Sequence, residues 1–325
     1  GDGQMGGRMG GRIGGRVEGR LDGLLRGEHA LAPDAMDALL ATLALPADHL
    51  RRGDWPAAAA AGRPAWLYPD GGWASPAGLC AAWLQQPGIT LRCGLAVDRL
   101  HPLPDDGGRG GGWQVLDSDG QVLAQADAVV LCNAADAQRL AGPAGAGWPL
   151  QAVRGQTTVL PGGLPGLPDL PLPLADGGYA LRLADGRLLC GATSQPGDGD
   201  ASLRPGDHLE NLEKLARLTG WTGTVDPAVL DGRVGWRLQS SDRLPLLGPL
   251  PDAAAPAAAH PRQLARVPGL WVFTALGSRG LCHAPLGAEV LASWLTGDPV
   301  PAPAALMDAL DPGRFVSRAV RRSGG

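Results

Sequence analysis

The stretch Pro268-Gly-Leu-Trp-Val-Phe-Thr-Ala-Leu-Gly-Ser-Arg-Gly-Leu-Cys-His-Ala-Pro285, with the helical pattern that follows it, constrains the fold more than any other part of this 325-residue chain. Residues 270–275 are an apolar, β-branched run of the length of a buried strand. Gly277 and Gly280 bracket Ser278 and Arg279, so the backbone can turn tightly and approach a ligand with no Cβ in the way. Leu286, Val290, Leu291, Trp294 and Leu295 then recur at the spacing of one helical face, and Gly297 with Pro299 supplies the stop. A strand, a glycine turn and a helix aim free N–H groups and the positive helix end at one point, where an anion or an electron-rich ring oxygen can be held. Taken alone, such a turn has a second reading, in which it only reverses the chain.

The chain is long enough for two lobes, and 44% hydrophobic with 18% charged residues describes a soluble globular protein. A net charge of -4 argues against a basic nucleic-acid-binding body as a whole, while leaving room for a local basic patch. Cys80, Cys93, Cys132, Cys190 and Cys282 are scattered with no C-x-x-C pair, so neither a metal site nor a disulfide framework is expected, and a reducing cytoplasm fits. No run of 18 apolar residues suggests a membrane span. Residues 1–25 repeat a four-residue Gly/Arg pattern, expected to be too glycine-rich for a packed element. Gly1, Gly3 and Gly6 match the letters of a dinucleotide fingerprint, but no strand can precede a motif at the first residue, so that match is rejected.

Further on, residues 28–50 carry one helical pattern, and Ser75-Pro76 opens another that runs to Leu84. Residues 89–97 alternate cleanly, with Ile89, Leu91, Cys93, Leu95 and Val97 on one face, which predicts a strand. Asp117-Ser-Asp-Gly120 predicts a hairpin turn. Residues 126–132 read as a central parallel strand ending in Asn133-Ala-Ala-Asp136, where open α/β sheets place ligands; the alternative for Asn133 is a helix N-cap. Residues 151–160 and the runs flanking Ala184-Asp-Gly186 predict strands. Asp207 is expected to cap a helix with Glu210 completing the box, Glu210 and Lys214 pairing, Leu209, Leu212, Leu215 and Leu218 buried, and Gly220 closing it.

Arg233, Arg237 and Arg243 fall close together in residues 231–249, and arginine suits bidentate capture of a carboxylate or phosphate. Arg233 and Arg243 also read as a solvated face. Arg237 lies between Trp236 and Leu238, where an unpaired guanidinium is costly, which points to a bound anion.

Several motifs carry a resemblance when taken in order. They are Pro69-Asp-Gly-Gly-Trp-Ala-Ser-Pro76, Val129-Val-Leu-Cys-Asn-Ala-Ala-Asp136, Val153-Arg-Gly-Gln156, Gly191-Ala-Thr193, Ser241-Asp-Arg-Leu-Pro-Leu-Leu-Gly248, Leu276-Gly-Ser-Arg-Gly-Leu281 and Leu310-Asp-Pro-Gly-Arg-Phe315. Over residues 28–322 the chain resembles the FAD-dependent oxidase half of the bifunctional bacterial tRNA 5-methylaminomethyl-2-thiouridine biosynthesis proteins, a branch of the D-amino-acid and glycine oxidase superfamily. The resemblance implies an α/β (α+β mixed) fold, with an incomplete FAD-binding Rossmann-like lobe and an antiparallel-sheet substrate lobe. It implies FAD as cofactor, and oxidation of the CH–NH bond of carboxymethylaminomethyl-uridine at the tRNA wobble position, giving aminomethyluridine and glyoxylate. By the same resemblance Arg237 binds the substrate carboxylate and Arg279 helps hold substrate or flavin. Gly277, Ser278, Arg279, Gly280 and Leu281 face the flavin, Val97 lies at the adenine side, and Asn133, Ala134 and Ala135 at the pyrophosphate side.

The family's opening strand, glycine fingerprint and helix have no counterpart in the sequence given, and neither has the methyltransferase half, which becomes a possible partner. The chain is therefore expected to be truncated and to bind FAD weakly. The expected organisation is a Gly/Arg segment (1–25), the rest of the FAD lobe with a linker helix (26–150), the substrate lobe (151–250) and a C-terminal FAD-lobe piece (263–325). Two further readings stand beside the tRNA enzyme: a free amino-acid or sarcosine-type FAD oxidase, and a flavin-less tRNA-docking or interaction remnant. Arg314, Arg318, Arg321 and Arg322 read either as a tRNA-facing patch or as a frayed tail.

Overall fold

A computed structural model describes residues 17–55, 63–104 and 111–323, so Gly1, Gly3 and Gly6 of the fingerprint lie outside the described residues. The chain divides into two units: Gly1–Leu91, Gly155–Ser194 and Asp200–Gly235 in the first, Arg92–Arg154, Gln195–Gly199 and Trp236–Gly325 in the second. The segment expected at 26–150 is thus split near residue 91, because the helix Pro33–Leu43 and the strands around it join the first unit's sheet rather than bridging to a second lobe. The architecture is mixed α/β.

The first unit is built on hairpins. Tyr179–Arg182 turns back through Gly186, whose φ of 84° suits glycine, into Leu188–Gly191, as the Asp-Gly turn predicts. Leu188–Gly191 pairs antiparallel with residues 157–160, the end of the strand Leu150–Leu160. On the other side Tyr179–Arg182 pairs with Leu174–Ala175, and that strand pairs in parallel with Leu24–Gly27, which is followed by Pro64–Tyr68 and Arg51–Asp54. The end of the glycine-rich opening is therefore ordered into a sheet: Leu25 is buried among Leu160, Leu174 and Leu188. The helix predicted over 28–50 is confined to Pro33–Leu43, opened by Pro33 and closed where Ala44 turns left-handed at φ 49°.

The helix Pro205–Thr219 covers this sheet, burying Leu215 and Leu218, and Gly220 ends it at φ 73°. Glu210 and Lys214 pair at 2.6 Å. Two expectations fail. Pro205 at the first position makes Arg204 the boundary residue, so Asp207 sits buried inside the first turn rather than capping it. Leu209 faces solvent, because the buried side is shared with a polar layer in which Asn211 donates to the Gln156 carbonyl (2.8 Å) and Thr158 Oγ1 meets His208 Nδ1 (2.9 Å). Burial lowers the pKa of His208.

The second unit has a sheet in the order Leu246–Pro251, Arg266–Thr274, Val129–Leu131; the first pair is antiparallel and the second parallel. The meander Arg99–Pro102, Trp113–Leu116, Val122–Ala126 turns where Asp117 Oδ1 accepts from the Asp119 and Gln121 N–H groups. Trp113, Leu131, Trp148, Leu246 and Val272 share one core, and the helix Gly280–Thr296 adds Val290 and Leu291 against Leu247. Leu286 and Leu295, expected inside, are exposed; Gly287 takes the inner position because a Cβ there would come within 2.1 Å of the Phe273 ring. The parallel strand expected over 126–132 is cut to Val129–Leu131 and lies at an edge of its sheet. No strand forms over 89–97, and Leu91 is 60% exposed. Alternation alone cannot hold a strand; its N–H and C=O groups need a neighbour, and among the described residues none pairs with it.

Candidate functional site

The strands Val129–Leu131 and Arg266–Thr274 run in parallel, with Leu131 beside Val272, so both deliver the chain to the same end of the sheet. Each then enters a turn through a residue in left-handed backbone: Ala134 at φ 53° after the first, Ala275 at φ 60° after the second. Alanine avoids this region, and the strain of such residues, about 1–3 kcal/mol, persists only where the surroundings hold them. Here Thr274 Oγ1 donates to the Ala134 carbonyl (3.1 Å), tying one turn to the other, and Ala275 is buried.

The second turn carries the glycines. Gly277, at φ 58°, begins the short 3-10 segment Gly277–Arg279, and the helix Gly280–Thr296 follows directly. No side chain caps that helix, so its first N–H groups stay directed at whatever lies in front of them. Ser278, Arg279 and Leu281 are exposed. A Cβ on Gly277 or Gly280 would meet its nearest neighbours at 3.8 Å, ordinary contact, so crowding does not require glycine at either position. Pro285 stands inside the helix, removing the N–H that would otherwise bond to the Leu281 carbonyl.

Arg237 reaches the same place by strand geometry. Gln239 on the strand Asp231–Ser240 bridges antiparallel to Leu276, the residue just before the glycine turn, and Gln239 Cβ is the nearest atom to a Cβ built on Gly277. Side chains two apart on a strand share a face, so Arg237 lies on the face of Gln239. The bridge brings the strand of Arg237 alongside the segment that leads into the turn of Arg279. Burial does not isolate Arg237: it is half-buried, Trp236 beside it is 43% exposed, and the residue makes an interaction within the protein. Desolvation does not by itself demand a bound anion.

Val97 and Asn133–Ala135 are joined by a residue the sequence did not single out. Arg139 forks onto Asp136 (Nε–Oδ1 2.7 Å, Nη2–Oδ2 2.8 Å) and also donates to the Val97 carbonyl (2.9 Å). The hydrogen bond from Arg139 holds the Asp136 carboxyl below its usual pKa and raises that of Arg139. Asn133 is not an N-cap; its amide donates to Asp136 (3.3 Å). Asp136 and Arg139 form an i,i+3 pair, a signal present in the sequence, but the reach to Val97 crosses 42 positions and has no local trace. Among the described residues no cluster of His, Cys, Asp or Glu could hold a metal ion.

Residues 17–294 match the family described as FAD dependent oxidoreductase. The tRNA 5-methylaminomethyl-2-thiouridine biosynthesis bifunctional protein MnmC of Burkholderia lata is 48% identical over 264 residues, covering 78% of this chain and 40% of that protein. The protein of the same name from Methylibium petroleiphilum is 44% identical over 268 residues, with 77% and 40% covered. The chain spans less than half the length of these relatives. Among solved structures, glycine oxidase from Geobacillus kaustophilus has a TM-score of 0.67 at 21% identity, covering 92% of this chain and 76% of that one. Iminodiacetate oxidase from Chelativorans sp. BNC1 has a TM-score of 0.65 at 23% identity, with 91% and 77% covered. These two likenesses concern the fold.

Proposed function

Since the chain belongs to the FAD dependent oxidoreductase family, we propose that it oxidises the CH–NH bond of carboxymethylaminomethyl-uridine at the tRNA wobble position, giving aminomethyluridine and glyoxylate. FAD is the cofactor, and bound FAD supplies a two-electron hydride acceptor. The observation that supports the reading is the Gln239–Leu276 bridge, which joins the strand of Arg237 to the residue before the uncapped turn of Gly277–Leu281, at the shared end of two parallel strands. The names of the relatives at 44–48% identity supply the substrate class.

Two turns of the described residues would suit parts of FAD. The turn of Gly277, Ser278, Arg279, Gly280 and Leu281, which leads into a helix that no side chain caps, would face the electron-rich ring oxygens of the isoalloxazine. The turn of Asn133, Ala134 and Ala135, next to the Arg139 fork on Asp136, would take the pyrophosphate, and Val97, held by the same arginine, would lie by the adenine.

The chain's own residues then act by position. Arg237 takes the substrate carboxylate in a charge-assisted fork and so fixes the CH2 between carboxylate and nitrogen. Arg279, exposed at the turn, restrains the substrate or the ring. A neutral secondary amine loses one hydride from that CH2 and one proton to solvent, leaving an imine. Water adds to the imine and the C–N bond breaks, releasing glyoxylate and the aminomethyl nucleoside. No side-chain base is required if the amine binds neutral. A methyltransferase half would complete the modification, in the cytoplasm.

The test is to incubate the FAD-supplemented protein with tRNA carrying the carboxymethylaminomethyl group and follow the nucleosides by mass spectrometry, alongside glycine, sarcosine and proline. Conversion of the nucleoside with release of glyoxylate supports the reading. Turnover of the free amino acids alone replaces it with a small-molecule oxidase, and RNA binding without any flavin spectrum replaces it with a docking remnant.

A further inference from the structure

In the second unit a cavity of about 410 Å3 is walled by Trp271, Trp294, Val300 and Met307, with Arg262 and Asp308 among its lining. The two indole rings stack on one another, with centroids 5.8 Å apart and 28° between their planes. None of the functional residues named above lines it. Arg262 is 57% exposed and forks onto Asp308 (2.7 and 2.5 Å). Its turn, Pro261–Gln263, meets the C-terminal helix Arg314–Ser323, where Arg321 donates to the Ala259 carbonyl.

The charges around this turn do not cancel. Arg262 is matched by Asp308 and Arg266 by Asp311, but Arg314 and Arg318 share the single carboxylate of Asp242, and Arg321 and Arg322 have no acidic partner here. Arg314 is buried, so the exposed and unmatched positive charge at this turn, among the described residues, is that of Arg321 and Arg322. An aromatic-walled pocket next to a positive ridge is the combination that holds single-stranded nucleic acid, one base stacking in the pocket while neighbouring phosphates lie along the arginines.

We propose that this surface binds an unpaired segment of tRNA, with a nucleobase entering the Trp271/Trp294 cavity and the adjoining phosphates on Arg321 and Arg322. The proposal rests on the tRNA reading above, and adds to it a docking site built from residues outside the redox site.

The test uses the full chain with a fluorescently labelled anticodon stem-loop, measuring affinity by anisotropy across a salt series together with tryptophan quenching. Two variants at exposed positions leave the core untouched: Arg321→Ala/Arg322→Ala, and Ala304→Phe, which fills the cavity mouth from the residue that lines it. The double variant is expected to weaken binding about tenfold and to flatten the slope of log K against log salt by about 1.4, at roughly 0.7 per phosphate contact on a single strand. Ala304→Phe is expected to weaken binding about tenfold, abolish the quenching and leave the salt slope unchanged. Parent-like binding by both variants overturns the docking site while leaving the tRNA reading intact. Equal binding and quenching by inorganic polyphosphate, which has no bases, also overturns it. A parent protein that binds no RNA overturns both.

Discussion

Arg314 grips Asp242 across 72 positions of sequence, with Nε–Oδ2 and Nη2–Oδ1 both at 2.9 Å. Its guanidinium is 2% exposed, lies 4.3 Å from the Phe315 ring centroid and donates also to the carbonyls of Leu244 and Pro245. The helix Arg314–Ser323 is thereby anchored to the turn after Asp231–Ser240, so Arg314 belongs to neither of the roles offered by the sequence, an RNA-facing patch or a loose tail.

Arg314→Ala leaves the Asp242 carboxylate without its main partner and should cost about 3–5 kcal/mol in denaturant unfolding. Arg314→Lys should recover only part of this, because an ammonium cannot reproduce the fork. Arg318→Ala, at a position one-third exposed, should cost under about 1 kcal/mol.

The same carboxylate gives stability a pH dependence. Burial pushes the pKa of Asp242 up, but hydrogen bonds from Arg314, Ser240 and Arg318 outweigh it and hold the group well below the usual carboxylate range. A depressed folded-state pKa contributes stability that is complete above the unfolded value of about 3.9 and is lost as the pH falls below it toward the folded value. Urea midpoints should therefore drop between pH 5 and pH 3, and Asp242→Asn should start lower and show a shallower drop. A parallel decline in parent and variant would assign the acid sensitivity to other groups.

Gly287→Ala puts a methyl into the Phe273 ring, where the built Cβ lies 2.1 Å from Cζ. Alanine gains roughly 1 kcal/mol of helix propensity over glycine, but overpacking of about 1–3 kcal/mol should win. The thermal midpoint is expected to fall, and Phe273→Leu in the same chain should restore most of it.

Burial pushes the Cys190 thiol up to about 12. It should resist a thiol reagent in the folded protein, whereas Cys80, Cys93, Cys132 and Cys282, all exposed, should react. Burial also raises Cys132, which should be slower than the other exposed thiols. Quantifying labelled cysteines by peptide mass spectrometry, with and without denaturant, checks the order.

If Arg237 holds the substrate carboxylate, Arg237→Ala should raise KM about 10- to 100-fold, the equivalent of losing a charged hydrogen bond worth about 1.5–3 kcal/mol. Arg237→Lys should lie between. An unchanged KM in the alanine variant would remove the clamp.

What the sequence disclosed was chiefly what neighbours along the chain decide. Ser75 accepts from the Gly78 N–H as expected of an N-cap, Asp117 builds its hairpin, and Gly220 and Gly297 close their helices in left-handed backbone. The strand, glycine turn and helix from residue 266 to 296 also stand where the pattern puts them. What stayed hidden depends on distant partners. Ile89 to Val97 has the alternation of a strand and no neighbour to pair with, Leu286 and Leu295 lose the inner face to Gly287, and Arg139 finds Val97 through the fold alone. Motif order pointed to Arg237 and Arg279, but the Gln239–Leu276 bridge that links their two segments had no trace in the sequence.

Pro285 gives the opening of its helix a mechanical character of its own. The rung it deletes is the one that would lash Leu281 to the turns carrying Val290 and Leu291, which stay wedged against Leu247. The leading turn, with the glycine bend attached, can therefore tilt like the loose end of a clasp, adjusting to what it touches while the shaft behind it stays fixed.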